Sequence, residues 1–427
     1  MRYRRLFNSP ILLSIIVCWL TLYSCFALAL HKKDLSTFST DCKVYYMASA
    51  TLMSGKNPYN PADMFYTCRL RDPKGMWVGG GSGAASNVPL PFVLFTPFTI
   101  FDWATASRLI FALNLLCIPL IFTLSAKVLD DKIPAHRLYF LCFISAIFPP
   151  VWKDVYVGQN ALTVLAAQLG CCALVGTSNP VAVFALISFA CNKITCSAPV
   201  FLVSIVKGVP SEKLAALIAF AAFVALNILI VLHMGWHSFL VHYSQANSML
   251  FGPNACNDPY TSGRLIRIDD APLLAMFVPR SLLTPCCLML SVVLAIPLVA
   301  LIFYRKSSPG VVLISSLLYT LTTLYHRPYD AVLALPFIYF TLRESNCKHS
   351  LAAGFRLASL LAVVLVFGDH NVFSVFNHAA TRFDFPFIRP VITISMYLSM
   401  VFPELRRTAL KSQATTKPIL GSIALSI

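Results

Sequence analysis

The sequence predicts an all-α polytopic membrane protein, a single domain over residues 1–427 with about 12 transmembrane helices. The first observation is composition: 58% of the residues are hydrophobic and only 12% are charged, which lies outside the range of soluble globular domains. The second is the recurrence of apolar runs of about twenty residues, enough to cross roughly 30 Å of hydrocarbon. The third is a pair of long polar stretches, 31–87 and 234–279, which we expect to be outer loops.

The predicted spans are residues 10–30, 88–102, 104–127, 137–152, 160–177, 180–206, 213–233, 283–304, 309–325, 328–343, 351–368 and 387–403. The first follows a basic segment and resembles a signal peptide. It is long, contains Trp19 and lacks a good cleavage site, so we expect it to remain as a membrane anchor.

The distribution of basic residues predicts that both termini lie on the cytoplasmic side. With that orientation the inner segments carry fifteen basic residues: Arg2, Arg4, Arg5, Arg108, Lys153, Lys207, Lys213, Arg305, Lys306, Arg343, Lys348, Arg406, Arg407, Lys411 and Lys417. The short outer segments carry five: Lys127, Lys132, Arg137, Arg327 and Arg382. This asymmetry follows the positive-inside rule and places the two long loops outside.

The net charge of +16 does not predict nucleic acid as a partner, because the basic residues are scattered singly or in pairs among the loops. Membrane lipids are the expected partners of these charges. The 14 cysteines show no metal-binding spacing. A disulfide between Cys42 and Cys68 is conceivable from their outer location alone.

The first outer loop contains a helix signal. Thr40 or Asp41 can cap a helix that ends at Ser54, with Gly55 in the left-handed position and Pro58 preventing continuation. Both long loops are rich in Trp, Tyr, Asn, Asp and Pro, so we expect each to fold and to carry short interfacial helices. Asp41 is either a simple helix cap or a functional carboxylate.

A series of motifs runs in order along the chain: Asp41, Tyr45, Tyr46, Leu52, Gly55, Asn57, Pro58 and Tyr59 in the first loop; Val88-Pro89-Leu90-Pro91 with Pro97-Phe98; Gly158-Gln159-Asn160; Lys193 with Pro199; Ala246 to Gly252; and Tyr325 to Asp330. This series is similar to the motifs of glycosyltransferase family 87, also known as domain of unknown function 2029. The glycine-rich insert Gly79 to Gly83 departs from the family's pattern and leaves the alignment of 69–87 open.

The resemblance implies a GT-C-like membrane glycosyltransferase. It implies a polyprenyl-phosphate donor carrying a mannose- or arabinose-like sugar, and a lipid-linked or cell-envelope glycan as acceptor. It also implies an extracytoplasmic active site in a bacterial inner membrane. The chain has no P-loop, no Asp-x-Asp pair and no dinucleotide-binding glycine turn, so nothing in the sequence predicts a grip on a nucleotide sugar.

The same resemblance implies the site residues. Asp41 would be the catalytic base of an inverting single displacement, and His326 would assist it. The expected substrate-binding residues are Tyr45, Tyr46, Tyr59, Lys193, Asn247, Arg327, Tyr329 and Asp330, with Arg327 placed to hold the donor phosphate or to pair with Asp330. We expect no metal cofactor; the adjacent acids Asp269 and Asp270 would be a weak site for a divalent cation.

Two further expectations concern the membrane interior. Lys193 falls near the middle of the span 180–206, about 20 Å from either face, with no acid inside the membrane to pair with it. We therefore expect it to face a cavity, bind a phosphate or be neutral. Gly158-Gln159-Asn160 falls at the cytoplasmic end of a span, as a helix start remote from the chemistry.

Two alternatives remain. A transporter or flippase of a polyprenyl-linked or other lipid predicts broken helices with polar residues near the midplane, whereas the sequence concentrates polar motifs in the outer loops. A non-catalytic assembly partner predicts that Asp41 is dispensable.

Overall fold

Helices are the regular secondary structure of the part of the chain that the structure describes. The computed structural model describes residues 10–30, 40–72, 87–255, 257–261, 267–303, 307–324, 326–344 and 388–423, and these ranges contain no strand. The α-helices are α1 (Pro10–Leu30), α2 (Thr40–Met53), α3 (Pro61–Arg71), α4 (Leu90–Phe95), α5 (Trp103–Val128), α6 (Ala135–Ile147), α7 (Pro149–Val157), α8 (Ala161–Cys172), α9 (Pro180–Ala190), α10 (Ile194–Lys207), α11 (Pro210–Met234), α12 (Trp236–Phe251), α13 (Ala271–Leu274), α14 (Arg280–Phe303), α15 (Pro309–Thr323), α16 (Leu335–Glu344) and α17 (Ile388–Ile423). Short 3-10 helices cover Thr96–Ile100, Cys191–Lys193 and Pro328–Ala334. The all-α class is thus confirmed for the described residues.

Some of the predicted spans correspond to long apolar helices. Among the described residues, α5, α11 and α14 are each long and apolar enough to cross a membrane. The pair α6 and α7 makes a fourth candidate, although the two helices are bent by 67°. The predicted spans 10–30 and 387–403 correspond to α1 and to the first part of α17. The remaining predicted spans correspond to shorter or interrupted helices, except 351–368, which lies outside the described residues. The total of about 12 spans stays a prediction.

The carboxylate of Glu212 marks one end of the bundle, which we call the Glu212 end. It accepts hydrogen bonds from the backbone N–H groups of Gly176 (2.9 and 3.1 Å), Ser178 (3.0 Å) and Val209 (3.1 Å). The residues just before α9 and just after α10 therefore meet at one point. The stretch that the sequence predicts as a single span, 180–206, is instead a helical hairpin with Lys193 at its tip, and the single-span prediction is wrong.

The opposite end contains α2 and is called the Asp41 end. The predicted span 88–102 lies here as α4 and a 3-10 helix, together only about 20 Å long. Two hydroxyl groups of α2 bind it: Ser49 donates to the Phe92 carbonyl (2.6 Å) and Tyr46 to the Phe101 carbonyl (2.9 Å). This segment packs along α2 and does not cross the bundle.

The two predicted crossings that the structure lacks, at 88–102 and 180–206, explain why some charged residues were predicted on opposite sides of the membrane although the structure places them at the same end of the bundle. The sequence puts Lys127, Lys132 and Arg137 outside and Arg343 inside. In the structure the neighbouring Asp131 lies 3.5 Å from the Arg343 guanidinium. These residues therefore share one end of the bundle. The predicted crossing at 88–102 does not exist, so the segments between 102 and 180 were predicted at the wrong ends of the bundle. The stretch 180–206 enters and leaves at the same end instead of crossing, and this second error cancels the first from Lys207 onward.

The second predicted outer loop does meet the first. The Asn57 side-chain amide donates to Ser238 Oγ on α12 (3.0 Å), and the Tyr59 ring lies edge-on to Phe239, 5.0 Å between centroids. α2, α3, α4 and α12 thus share a small aromatic core at the Asp41 end, separate from the large aliphatic core of the bundle. This second core positions α2 and its carboxylate.

Candidate functional site

The α2 helix forms as the local sequence predicts. It runs from Thr40 to Met53 with Asp41 in its first turn. Gly55 then adopts the left-handed conformation at φ 72°, where a side chain would be strained. The Asp41 side chain is half-buried, while the next turn of the helix, including Tyr45 on the same face as Asp41, packs into the aromatic core.

Asp41 is in contact with Gln159, between α7 and α8. The Gln159 amide Nε2 donates to Asp41 Oδ2. Gly158, in the left-handed conformation (φ 70°, ψ 40°), ends α7 and turns the chain into α8. The expectation that Gly158-Gln159-Asn160 lies remote from the chemistry is wrong, because the inverted segment order had moved this turn to the other end of the bundle.

Lys193 is the next member of the cluster. Its ammonium group lies 3.4 Å from Gln159 Oε1 and forms an ion pair with Asp330 Oδ1. Asp330 is only 4% exposed, so each charge compensates the other in a poorly solvated place. The expectation that no acid is available to Lys193 is therefore wrong. It failed because the partner is 137 residues away in the chain.

His326 and Arg327 complete the cluster from the segment that joins α15 to a 3-10 helix. His326 is fully buried, and its Nδ1 lies 3.3 Å from Asp330 Oδ2. The Arg327 backbone N–H donates to the same oxygen (3.1 Å), while its guanidinium donates to Asn257 Oδ1 (2.7 Å). A continuous series of polar contacts thus runs from Asp41 through Gln159, Lys193 and Asp330 to His326; we call it the polar chain.

The comparison with known families decides the class of protein. The model of glycosyltransferase family 87 matches residues 87–336, more than half of the 427 residues. The chain belongs to glycosyltransferase family 87. Searches of curated proteins and of solved structures found no match.

Membership in family 87 makes the chain a membrane glycosyltransferase. Four members of the polar chain, Gln159, Lys193, His326 and Asp330, lie inside the matched region. Asp41 lies before it, so the family match does not reach the expected base. Its place in the site rests on the Gln159 contact.

Not every residue expected to bind substrate lies in the polar chain. Tyr45 is buried and stacks on Phe95, 5.0 Å between centroids. Tyr46 and Tyr59 are fully buried in the aromatic core, and their hydroxyl groups donate to the carbonyls of Phe101 and Asn87. Asn247 donates to the Tyr243 carbonyl within α12 (3.1 Å). The Tyr329 side chain lies outside the described part of the chain.

A group of side chains at this site could hold a metal. Ligand atoms of Cys196, His326 and Asp330, all buried, lie within 4.8 Å of one another, and sulfur, imidazole and carboxylate donors suit zinc. However, the Asp330 oxygens already accept hydrogen bonds from Lys193 and from the Arg327 backbone, so a metal would have to displace an ion pair. The metal-independent enzyme stays a prediction.

Of the adjacent acids Asp269 and Asp270, Asp269 has a structural partner, the Arg267 guanidinium. Asp269 holds the Arg267 guanidinium at 2.8 to 3.1 Å and accepts from the His326 backbone N–H at 3.3 Å. Burial raises the pKa of Asp269, and the Arg267 charge opposes that rise. This carboxylate therefore holds the backbone of the His326 segment in place.

The disulfide considered between Cys42 and Cys68 does not form, because both cysteines are free and buried.

Two polar residues of the site were missed by the sequence reasoning. The sequence predicts Gln159 only as part of a family motif at a helix start remote from the chemistry, and it assigns no role to Asp154, which is fully buried on α7 within range of the charges of Lys193 and Asp330. The signal in the sequence is that both interrupt a largely apolar stretch, Gln159 directly after Gly158 and Asp154 four residues before it. The turn after α7 brings Gln159 to Asp41.

Proposed function

We propose that this enzyme transfers one sugar, mannose- or arabinose-like, from a polyprenyl-phosphate donor to a lipid-linked or cell-envelope glycan acceptor. The reaction takes place on the extracytoplasmic side of a bacterial inner membrane, and both termini are cytoplasmic. The observation that carries the proposal is the polar chain, which puts a half-buried carboxylate and a basic segment in one connected site.

Asp41 is the base in this scheme. The acceptor hydroxyl gives its proton to the Asp41 carboxylate, and its oxygen forms a bond to the anomeric carbon. The bond from that carbon to the phosphate oxygen breaks, its electron pair stays on the phosphate, and polyprenyl phosphate leaves. A single displacement of this kind inverts the anomeric configuration.

The leaving phosphate needs positive charge and hydrogen-bond donors. Arg327 and His326 serve this role, and the Lys193 ion pair keeps the local charge balanced. Arg327 binds Asn257 in the second loop, so this loop and α15 position its guanidinium together. No metal ion and no nucleic acid enters the scheme, and the surrounding lipids are the remaining partners.

A flippase of a polyprenyl-linked lipid is the second candidate, because one specific observation favours it. Helices break at two places in the polar chain, at Lys193 and at the 3-10 helix after Arg327, and at a third place at the start of α7, the α6–α7 bend. Broken helices with polar residues at the breaks are typical of transporters, so the placement of polar motifs in the sequence no longer argues against this function. Family membership favours the transferase.

The test is Asp41→Asn in membranes supplied with a labelled polyprenyl-phosphate sugar. We expect normal insertion and no sugar transfer, because the amide cannot accept the hydroxyl proton. Asp102→Asn is the matched control: Asp102 also sits at a helix start, where it caps α5 by accepting from Thr105 N (2.8 Å). We expect it to transfer sugar normally.

Full transfer by Asp41→Asn would remove Asp41 as base and would agree with a non-catalytic assembly role. Lipid movement across the membrane by a variant that transfers no sugar would support the flippase instead. Mass spectrometry of envelope glycolipids from cells with and without the protein would then identify the sugar from the missing mass.

A further inference from the structure

Gln159 is placed between two opposite charges. Its Nε2 donates to the Asp41 carboxylate, and its Oε1 accepts from the Lys193 ammonium at 3.4 Å. An ammonium can only donate and a carboxylate can only accept, so one amide orientation alone satisfies both neighbours. The residue as a whole is 6% exposed, which leaves water little access to replace either contact.

The backbone of Gln159 is held as firmly as its side chain. Its N–H donates to the Asp154 carbonyl (2.9 Å), and its carbonyl accepts from the buried Asn114 side chain (3.1 Å). Gly158 supplies the left-handed turn immediately before it. Contacts from α5 and α7 therefore fix the backbone from which the amide projects.

Asp41, in contrast, lies in the first turn of its helix and is half-buried. A carboxylate in such a place can rotate about its side-chain bonds unless a neighbour holds one oxygen. The partner that holds Oδ2 is the Gln159 amide, and the neighbouring ammonium polarises that amide in the direction that strengthens the bond.

We propose that Gln159 is a positioning residue for the base: it holds Oδ2 of Asp41 so that Oδ1 faces the acceptor hydroxyl. It also connects the base to the Lys193–Asp330 ion pair, so that the acceptor side and the phosphate side of the site keep one geometry. The inference rests on the proposed function, since it assigns Gln159 a role only if Asp41 takes the proton.

The decisive variant is Gln159→Glu, which keeps the size and shape of the side chain but puts a second carboxylate against Asp41. A residue that only fills space would tolerate it. A positioning residue would not, because the donor to Oδ2 is replaced by a like charge. Gln159→Ala removes the contact without adding charge.

We expect both variants to lower kcat by roughly 100-fold, the cost typical of a misplaced catalytic group, with little change in KM for donor and acceptor. Gln168→Ala is the matched control, because Gln168 is a fully buried glutamine on α8, the helix that follows Gln159. It should keep the wild-type kcat. Thermal unfolding of each purified protein in detergent accompanies the kinetics.

The outcomes separate the two proposals. If Asp41→Asn is inactive and Gln159→Glu keeps the wild-type kcat, the positioning role is overturned and the base assignment stands. If Asp41→Asn is active, the proposed function fails first. An equal loss of kcat in Gln168→Ala, or a rise in KM with an unchanged kcat, would also overturn the positioning role.

Discussion

Two buried carboxylates, at opposite ends of the bundle, are satisfied in different ways. Glu212 accepts only backbone N–H groups in the contacts described above, from Gly176, Ser178 and Val209. Asp330 also accepts from side chains, with Lys193 and His326 as its partners. Both residues are at most 4% exposed.

The difference in hydrogen-bond partners separates a carboxylate that stabilises the fold, Glu212, from one that belongs to the candidate site, Asp330. Backbone amides are part of the fold, so Glu212 connects the loops before α9 and after α10 to the start of α11. None of these amide partners can move independently of the backbone. Side-chain partners carry their own charge and protons, so Asp330 belongs to a network that can respond to a substrate. We expect substitutions at the Glu212 end to change stability alone, and substitutions in the polar chain to change both stability and catalysis.

The largest expected effect comes from Lys193→Met. Removing the ammonium leaves Asp330 buried without its counter-charge, which destabilises the fold by about 3–5 kcal/mol, and sugar transfer should be lost. The measurements are thermal unfolding in detergent and transfer from a labelled lipid donor. Lys213→Met is the control, since Lys213 lies beside Glu212 on α11.

A double variant sharpens this prediction. Adding Asp330→Asn to Lys193→Met removes both charges, so most of the lost stability should return while transfer stays absent. If transfer returns together with stability, the ion pair is structural and the contrast with Glu212 is not real.

A smaller effect is expected for Glu212→Ala. It leaves the N–H groups of Gly176, Ser178 and Val209 without their acceptor, at a cost of roughly 1–3 kcal/mol. The folded fraction should transfer sugar at the wild-type rate. A fall in kcat at a temperature where the variant remains folded would contradict the assignment of this corner as purely structural.

The smallest effect concerns a third carboxylate, Asp258, which combines two backbone N–H donors with one side-chain partner, Arg280, and so lies between the two cases. Burial raises the pKa of Asp258. Hydrogen bonds from Arg280 and from the backbone N–H groups of Asn254 and Tyr260 lower it by more than burial raises it, so the pKa lies below its ordinary value of 3.8. A carboxylate whose pKa is lower in the folded state stabilises that state above pH of about 4, and this stabilisation is lost as the pH falls through the folded value.

We therefore expect the loop around Asp258 to become more susceptible to pepsin as the pH falls below about 4. Asp258→Asn should be susceptible already at higher pH and should lack that pH dependence. Identical pH profiles for the two proteins would show that this carboxylate contributes nothing to the loop.

Local signals predicted local structure well. The α2 helix begins and ends within a residue of its caps, and Gly55 is left-handed as expected, because capping and turn preferences depend on a few neighbouring residues. The motifs also predicted the family correctly. Asp41, Lys193, His326 and Asp330 were singled out as candidates, and the structure places all four in one chain of contacts.

Crossings were predicted less well, for a reason visible in two segments. Residues 88–102 and 180–206 are both apolar, yet the first lies along α2 and the second turns back at Lys193. Hydropathy adds up residue by residue and has the same value whether a segment crosses or turns. For this reason the sequence predicted Gln159 at the end of the bundle away from Asp41.

By itself, the sequence determined that this is a helical membrane protein of glycosyltransferase family 87, where its first polar helix begins and ends, and which residue types are available for chemistry. Only the tertiary structure decided that Gln159 reaches Asp41 and that Lys193 pairs with Asp330. The physical reason is range: composition and capping act over a few residues, whereas a buried charge takes its partner from whichever distant segment the packing brings near.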